Sequence, residues 1–229
     1  MRVLYLGEDS LNGAGKYLAA ALKWSRLSFD YVPNRQPIPP ALIKRRYSAV
    51  LLSDYGAKNW SDPGAQWLKR TLSQGTGLVM VGGWASFTGL VGGYARSPIG
   101  ELLPVRCLPR DDRVNRPAVL LGDRLIAVVN GYHRCRVRAG SRVRLNFRDL
   151  ILKRMGVVLG RKSPALVTGS YGQGRTLAFL TDCAPHWAGG LVDWGTRRVN
   201  AKIDRQTSVE VGEAYLRFLN RWMLWVCGR

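Results

Sequence analysis

An α/β domain built on a mostly parallel sheet is predicted from three observations. Four short apolar runs, Arg2–Leu6, Ser28–Val32, Ala49–Ser53 and Leu78–Val81, alternate with stretches of helical or loop character. Alternation of this kind with short connections favours parallel strands joined by right-handed crossovers. The run Leu78–Val81 is apolar throughout and bracketed by Gly77 and Gly82, as expected of a strand buried on both faces under helices. The segment Gly77–Gly89 is therefore the predicted centre of the fold. Ligands in open α/β sheets bind beyond the carboxyl ends of strands, which directs attention to Trp84–Thr88.

Taken in order, Arg2–Leu6 is the first strand and Gly7-Glu8-Asp9-Ser10 the loop at its end. Gly13–Ser25 carries Tyr17, Leu18, Ala21, Leu22 and Trp24 at helical spacing. Gly7, Gly13 and Gly15 match neither dinucleotide-binding nor phosphate-loop spacing, so no nucleotide cofactor is expected. After Ser28–Val32, prolines at 33, 37, 39 and 40 mark a loop, and Ala41–Arg46 is read as a short helix. Asp54-Tyr55-Gly56 follows the third strand. Ser61-Asp62-Pro63 has the form of a helix start, with the helix running to about Gln74. Pro98–Leu103 is a further short helix.

The second half predicts β-hairpin additions. Ala118–Leu121 and Ile126–Val129 are strands. Arg136–Arg138 and Arg142–Arg144 alternate around Ala139-Gly140-Ser141, which predicts a hairpin presenting its arginines on one face. Ala165–Gly169 and Arg175–Leu180 flank a Gly-rich turn and form a second hairpin. Val209–Val226 is read as a closing helix with an apolar stripe. Residues 105–116 are the only soft joint and no boundary is visible, so residues 1–229 are taken as a single domain.

The charge balance is strongly basic, with 35 Lys+Arg against 15 Asp+Glu and a net charge of +20. Residues 134–162 hold ten basic side chains and one acid, Asp149. Such a segment either solvates an exposed edge or offers a polyanion-binding face through Arg134, Arg136, Arg138, Arg142 and Arg144. Cys107, Cys135, Cys183 and Cys227 are too widely spaced for zinc ligation and are read as reduced thiols; no metal is expected. No apolar stretch reaches the ~18 residues of a membrane span. The amino terminus enters a strand pattern without the features of a secretory signal, so the expected location is cytoplasmic.

Three stretches together resemble one family: Val50–Gly56, Gly77–Gly89 continuing to Pro98–Pro104, and Tyr171–Trp187. They are similar to the glutamine amidotransferase-like proteins, with a class I glutamine amidotransferase-like fold, and Tyr171-Gly-Gln-Gly-Arg175 is also similar to the related ThuA-like proteins. The resemblance implies a flavodoxin-like three-layer α/β/α sandwich. It also implies a Cys nucleophile at a strand-to-helix elbow, a His base and a Glu that orients it. The elbow here falls at Val81-Gly-Gly-Trp-Ala-Ser86 and contains no Cys, and Trp187 follows His186 where Pro and Glu would be expected. The glutaminase triad therefore does not carry over.

Three readings follow. A glutamine amidotransferase-like domain without the triad would keep a small-molecule pocket lined by Glu8, Asp54, Trp84, Ser86, Asp182, His186 and Trp187. A hydrolase would use His186 as base, its pKa raised by nearby carboxylates, with Ser86 or Cys183 as nucleophile and Asp182 or Asp54 as orienter. A scaffold would bind polyanions through the arginine segment. The sequence leaves enzyme status, ligand and oligomeric state open; His133 is read as a turn residue.

Overall fold

The computed structural model describes residues 1–229. Its strands are β1 (Arg2–Gly7), β2 (Ser28–Val32), β3 (Ala49–Ser53), β4 (Gly77–Val81), β5 (Val105–Cys107), β6 (Arg113–Val114), β7 (Ala118–Leu121) and β8 (Leu125–Val129). They continue as β9 (Tyr132–His133), β10 (Cys135–Val137), β11 (Arg142–Lys153), β12 (Gly156–Tyr171), β13 (Gly174–Phe179), β14 (Arg198–Lys202) and β15 (Ser208–Gly212). The helices are α1 (Gly15–Trp24), α2 (Asp62–Ser73), α3 (Pro185–Ala188) and α4 (Glu213–Val226).

A nine-stranded mixed sheet runs in the order β2-β1-β3-β4-β13-β12-β11-β7-β8. The first five strands of that order are parallel, and the remaining pairings are antiparallel. Every residue of β3 and β4 is buried. Each large apolar side chain so enclosed stabilises the fold by about 1.5–3 kcal/mol, which is why the glycine-bracketed apolar run sits mid-sheet. The core is one continuous hydrophobic cluster from Val3 to Val226. Ser61 caps α2 by accepting the Gly64 N–H at 3.3 Å, with Pro63 in the first turn. Helix α1 packs on α4, and α4 lies against β13 and β4.

Four expectations are corrected. Residues 41–46 form turns rather than a helix. The strands around Ala139–Ser141 do not pair with each other: β10 pairs with β5, and β11 pairs with β12. Local alternation marks a strand but not its partner, and the 138–141 turn only redirects the chain between two sheets. Helix α4 begins at Glu213, because Val209–Gly212 belongs to β15, paired with β14. His133 lies in β9 and is fully buried.

The long β11–β12 hairpin reaches past its neighbour. Within β11 only Asn146–Asp149 pair with β7, so the part of the hairpin beyond them pairs with itself. Leu152 and Met155 near its tip are 85% and 95% exposed.

Candidate functional site

The parallel strands deliver three acids to one place. Glu8 directly follows β1, Asp54 follows β3, and Asp182 lies just past β13. Glu8 and Asp54 both adopt left-handed backbone, each with φ 55. A non-glycine residue rarely does so, and such positions concentrate where a side chain is held for function. The Glu8 carboxylate accepts the Ser53 hydroxyl at 2.9 Å, while its backbone carbonyl accepts Tyr31 Oη at 3.0 Å and Asn34 N at 2.9 Å.

Asp54 anchors the elbow. Its Oδ1 accepts the Ala85 N–H at 2.8 Å, and its own N–H donates to Ser86 Oγ at 3.1 Å. Gly83, at φ +156, is required because a Cβ there would fall onto the Asp54 carboxylate. Asp182 is buried, and its Oδ1 accepts the N–H groups of Cys183 at 2.5 Å and Ala184 at 3.1 Å. His186 Nε2 lies 3.0 Å from Asp182 Oδ2 but off the hydrogen-bonding direction, leaving that buried oxygen without a donor.

Burial pushes all three carboxyls up, and repulsion from neighbouring acids of the group adds to it for Glu8 and Asp182. Glu8 rises to about 9, from burial and then from Asp182 and Asp54. Asp182 rises to about 8, from burial and then from Asp54. Asp54 rises to about 6, from burial, against the Ala85 hydrogen bond that lowers it. His186 is lowered by burial, opposite to the sequence expectation of a raised pKa, because desolvation of the half-covered ring dominates. Glu8 and Asp182 thus hold protons near neutral pH and can donate as well as accept hydrogen bonds.

The nucleophile candidates are placed differently. Ser86 is buried, and its Oγ is occupied by the Asp54 N–H. Cys183 is buried, and desolvation followed by the Asp182 charge pushes its thiol well up, away from the reactive thiolate. Trp84 is exposed, with the Arg113 guanidinium 5.0 Å from its ring centre. Trp187 turns inward instead, its ring centre 5.1 Å from that of His133 and its indole against Gly131, where no Cβ would fit.

A buried pair behind the elbow escaped the sequence reading. His133 Nδ1 is 2.7 Å from Asp112 Oδ1, and both side chains are fully buried. His133 Nε2 meets Gly83 at 3.1 Å from its N and 2.9 Å from its O. Asp112 also accepts the N–H of Thr88 at 3.2 Å and of Gly89 at 2.9 Å. Asp112 and His133 thus tie both ends of the elbow loop to the body. Their separation of 21 residues matches no motif spacing. Asp182 with His186 was legible, since both follow the end of β13 within a few residues.

The five arginines are spread over two differently paired strands and their flanks. Arg138 donates to the carbonyls of Leu103 and Gly100, both at 3.0 Å, and Arg144 donates to Thr168 Oγ1 at 3.0 Å. Arg134 approaches Asp149 at 3.9 Å. Arg136 stands opposite Arg106 on the β5–β10 pair, and Arg142 is exposed on β11. The two prominent cavities lie away from the carboxylates. One of about 990 Å³ is lined by Leu145, Leu166, Trp194, Trp222, Trp225 and Arg144, and one of about 700 Å³ adjoins Tyr94, Arg96 and Arg138.

A mixed sheet with a glycine elbow after β4, and acids gathered at the ends of its parallel strands, defines an α/β protein whose candidate site lies at the strand carboxyl ends. Residues 7–200 match the family described as "Putative glutamine amidotransferase", and the chain belongs to that family. The chain is similar to Cytoplasmic Protein STM1381 from Salmonella typhimurium LT2, at 22% identity and TM-score 0.75 over 99% of each chain. It is also similar to Cytoplasmic Protein STM3548 from Salmonella typhimurium, at 24% identity and TM-score 0.68 over 85% of this chain and 93% of that one. A ThuA-like protein from Bacteroides uniformis ATCC 8492 is a structural neighbour at 11% identity and TM-score 0.46, covering 96% and 89% of the two chains. No curated protein matches. No helix is long and apolar enough to cross a membrane.

Proposed function

We propose that this chain is a glutamine amidotransferase-like protein without glutaminase chemistry that binds a small polar ligand through Glu8, Asp54, Asp182 and His186. One observation carries the reading: acids from three separate strand ends, Glu8, Asp54 and Asp182, converge, and burial first, then repulsion from Asp182 and Asp54 on Glu8 and from Asp54 on Asp182, holds Glu8 and Asp182 up. Structural stability gains nothing from such repulsion, so its retention points to a ligand that relieves it. Groups that answer these acids are hydroxyls, as in a sugar, or an ammonium, as in an amino-acid-like molecule. Trp84 supplies an exposed aromatic surface beside the elbow. The reading takes residues 1–229 as one cytoplasmic domain of flavodoxin-like three-layer form. The hydrolase alternative lacks support, because neither Ser86 nor Cys183 presents a free nucleophile to His186.

The test is thermal-shift and calorimetric screening of sugars, amino acids and small amines, followed by Asp182→Asn and Glu8→Gln. Binding should weaken at least about tenfold in either variant, the scale of one lost charge-assisted hydrogen bond. Affinity unchanged in both variants, or ammonia released from glutamine by the wild-type protein, would refute the reading.

Polyanion binding is a second reading, supported by the net charge of +20 and by exposed Arg136 and Arg142. It predicts duplex or heparin affinity that falls linearly in log–log form with salt, and a shallower slope in Arg136→Ala/Arg142→Ala. Binding with the parental slope in that double variant would remove these two residues from the contact.

A further inference from the structure

Strands β5 and β10 pair antiparallel, with Cys107 directly opposite Cys135. The hydrogen bonds fix the kind of pair. The Arg138 N–H donates to the Pro104 carbonyl at 3.1 Å, so residues 104 and 138 form a hydrogen-bonded pair. Hydrogen-bonded and non-hydrogen-bonded pairs alternate along an antiparallel ladder. Counting back through Val105–Val137 and Arg106–Arg136 makes Cys107–Cys135 a non-hydrogen-bonded pair. Opposed Cα atoms in such pairs lie about 4.5 Å apart, with side chains on the same face. A disulfide spans Cα separations of about 4.4–6.8 Å, so these two sulfurs can join without moving the backbone.

Access and surroundings single out the same pair. Cys107, Cys135 and Cys227 are half-buried and Cys183 is buried, but Cys227 follows α4 at the far end of the chain and faces neither of the other two across a strand pair. Cys135 Sγ lies 3.9 Å from Asp112 Oδ2, the carboxylate that holds His133 and the Thr88 and Gly89 N–H groups. The thiol therefore adjoins the anchor of the elbow loop.

We infer that Cys107 and Cys135 form a thiol-oxidation site, which closes to an intramolecular disulfide by exchange with a small-molecule disulfide of the glutathione type. In the first step the Cys107 thiolate attacks one sulfur of the small disulfide and expels a small thiolate, leaving a mixed disulfide on Cys107. In the second, the Cys135 thiolate attacks the Cys107 sulfur and expels the other small thiolate. The two cysteine protons end on the two small thiols. The protein loses two electrons and the small disulfide gains two. Cys107 enters first because burial and the facing Cys107 and Asp112 groups push the Cys135 thiol up, disfavouring its anion. Closure removes the Cys135 S–H from Asp112 and links the elbow anchor to redox state.

The experiment equilibrates the folded protein with oxidised glutathione, blocks remaining thiols by alkylation and maps peptides by mass. The expected result is a Cys107–Cys135 disulfide in most molecules, with Cys183 unmodified and the disulfide reversed by reduced glutathione. Cys135→Ser should stop at a glutathione adduct on Cys107, and Cys183→Ser should behave as wild type. The wild-type map is decisive even if a variant fails to fold. Full alkylation of Cys107 and Cys135 after equilibration, or oxidation reaching Cys183 or Cys227 instead, would overturn the inference.

Discussion

Replacing His133 by alanine is expected to lower the unfolding free energy by about 3–5 kcal/mol, the cost of removing a fully buried ring together with its hydrogen-bond partners. His133 is fully buried, 2.7 Å from Asp112 and in contact with Gly83 through Nε2. Its ring packs between Phe87, with centres 4.9 Å apart, and Trp187, at 5.1 Å. Alanine leaves Asp112 without its ring partner, leaves the Gly83 N–H unmet, and opens a cavity between two aromatic rings. Asp112→Asn is a gentler change: the remaining oxygen can keep the Gly89 N–H and His133 on the Oδ1 side, the Thr88 N–H loses its acceptor, and about 1–2 kcal/mol is expected. Urea unfolding at neutral pH measures both. A loss below about 1 kcal/mol for His133→Ala, the size of an average substitution, would mean that this pair does not hold the elbow. If the loss is as large as expected, the elbow loop should also exchange its amide hydrogens faster, because Asp112 fixes two of them.

What the sequence made legible, and what it hid, divides along the range of the interactions. Leu78–Val81 could be placed mid-sheet because burial on both faces leaves a local trace, an unbroken apolar run between glycines. The hairpin through Gly172 was readable for the same reason, since its turn chemistry is local. Pairing partners are not local. The alternation at 136–144 was real, but the partners of those strands lie at Val105–Cys107 and in β12. Val209 and Val211 sit at a spacing compatible with either strand or the start of the helical stripe that follows, and only β14 decides between them. The acids Glu8, Asp54 and Asp182 were found because strand ends in an α/β sheet share one edge. Asp112 and His133 were not, because nothing between those positions has a period. Trp187 was assigned to the pocket as an aromatic residue just past a buried strand, yet Gly131 offers it a slot in the interior.

Stability should fall as pH rises from about 5 to about 9, and Asp182→Asn should be more stable than wild type at about pH 8. The sign follows from the direction of the shifts. Glu8 and Asp182 ordinarily titrate at 4.5 and 3.8, but in the fold they hold protons to about 9 and about 8. Between those limits the folded chain binds more protons than the unfolded chain. The stabilisation is complete below the ordinary values and is lost as pH climbs through the folded ones. Each group contributes a slope of up to about 1.4 kcal/mol per pH unit, reduced where the acids share charge. Glu213 acts oppositely but elsewhere: Arg197 and Arg217 lower it to about 2, so its contribution is lost only in acid. Asn at 182 keeps an oxygen for the Cys183 and Ala184 N–H groups while removing one charge from the cluster. The pH slope of the urea midpoint should therefore flatten in Asp182→Asn and flatten further when Glu8→Gln is added. A wild-type slope near zero, or a double variant with the parental slope, would show that these carboxyls are ionised in the fold. A bound ammonium ligand should act in the same direction as the substitutions, because it supplies the positive charge the cluster lacks. Its stabilising effect should then grow from about pH 6 to about pH 8, the range in which the acids begin to ionise. A hydroxyl-bearing ligand that binds the protonated acids should show the reverse trend. The pH dependence of the thermal shift thus separates an ammonium ligand from a hydroxyl-bearing one by sign alone.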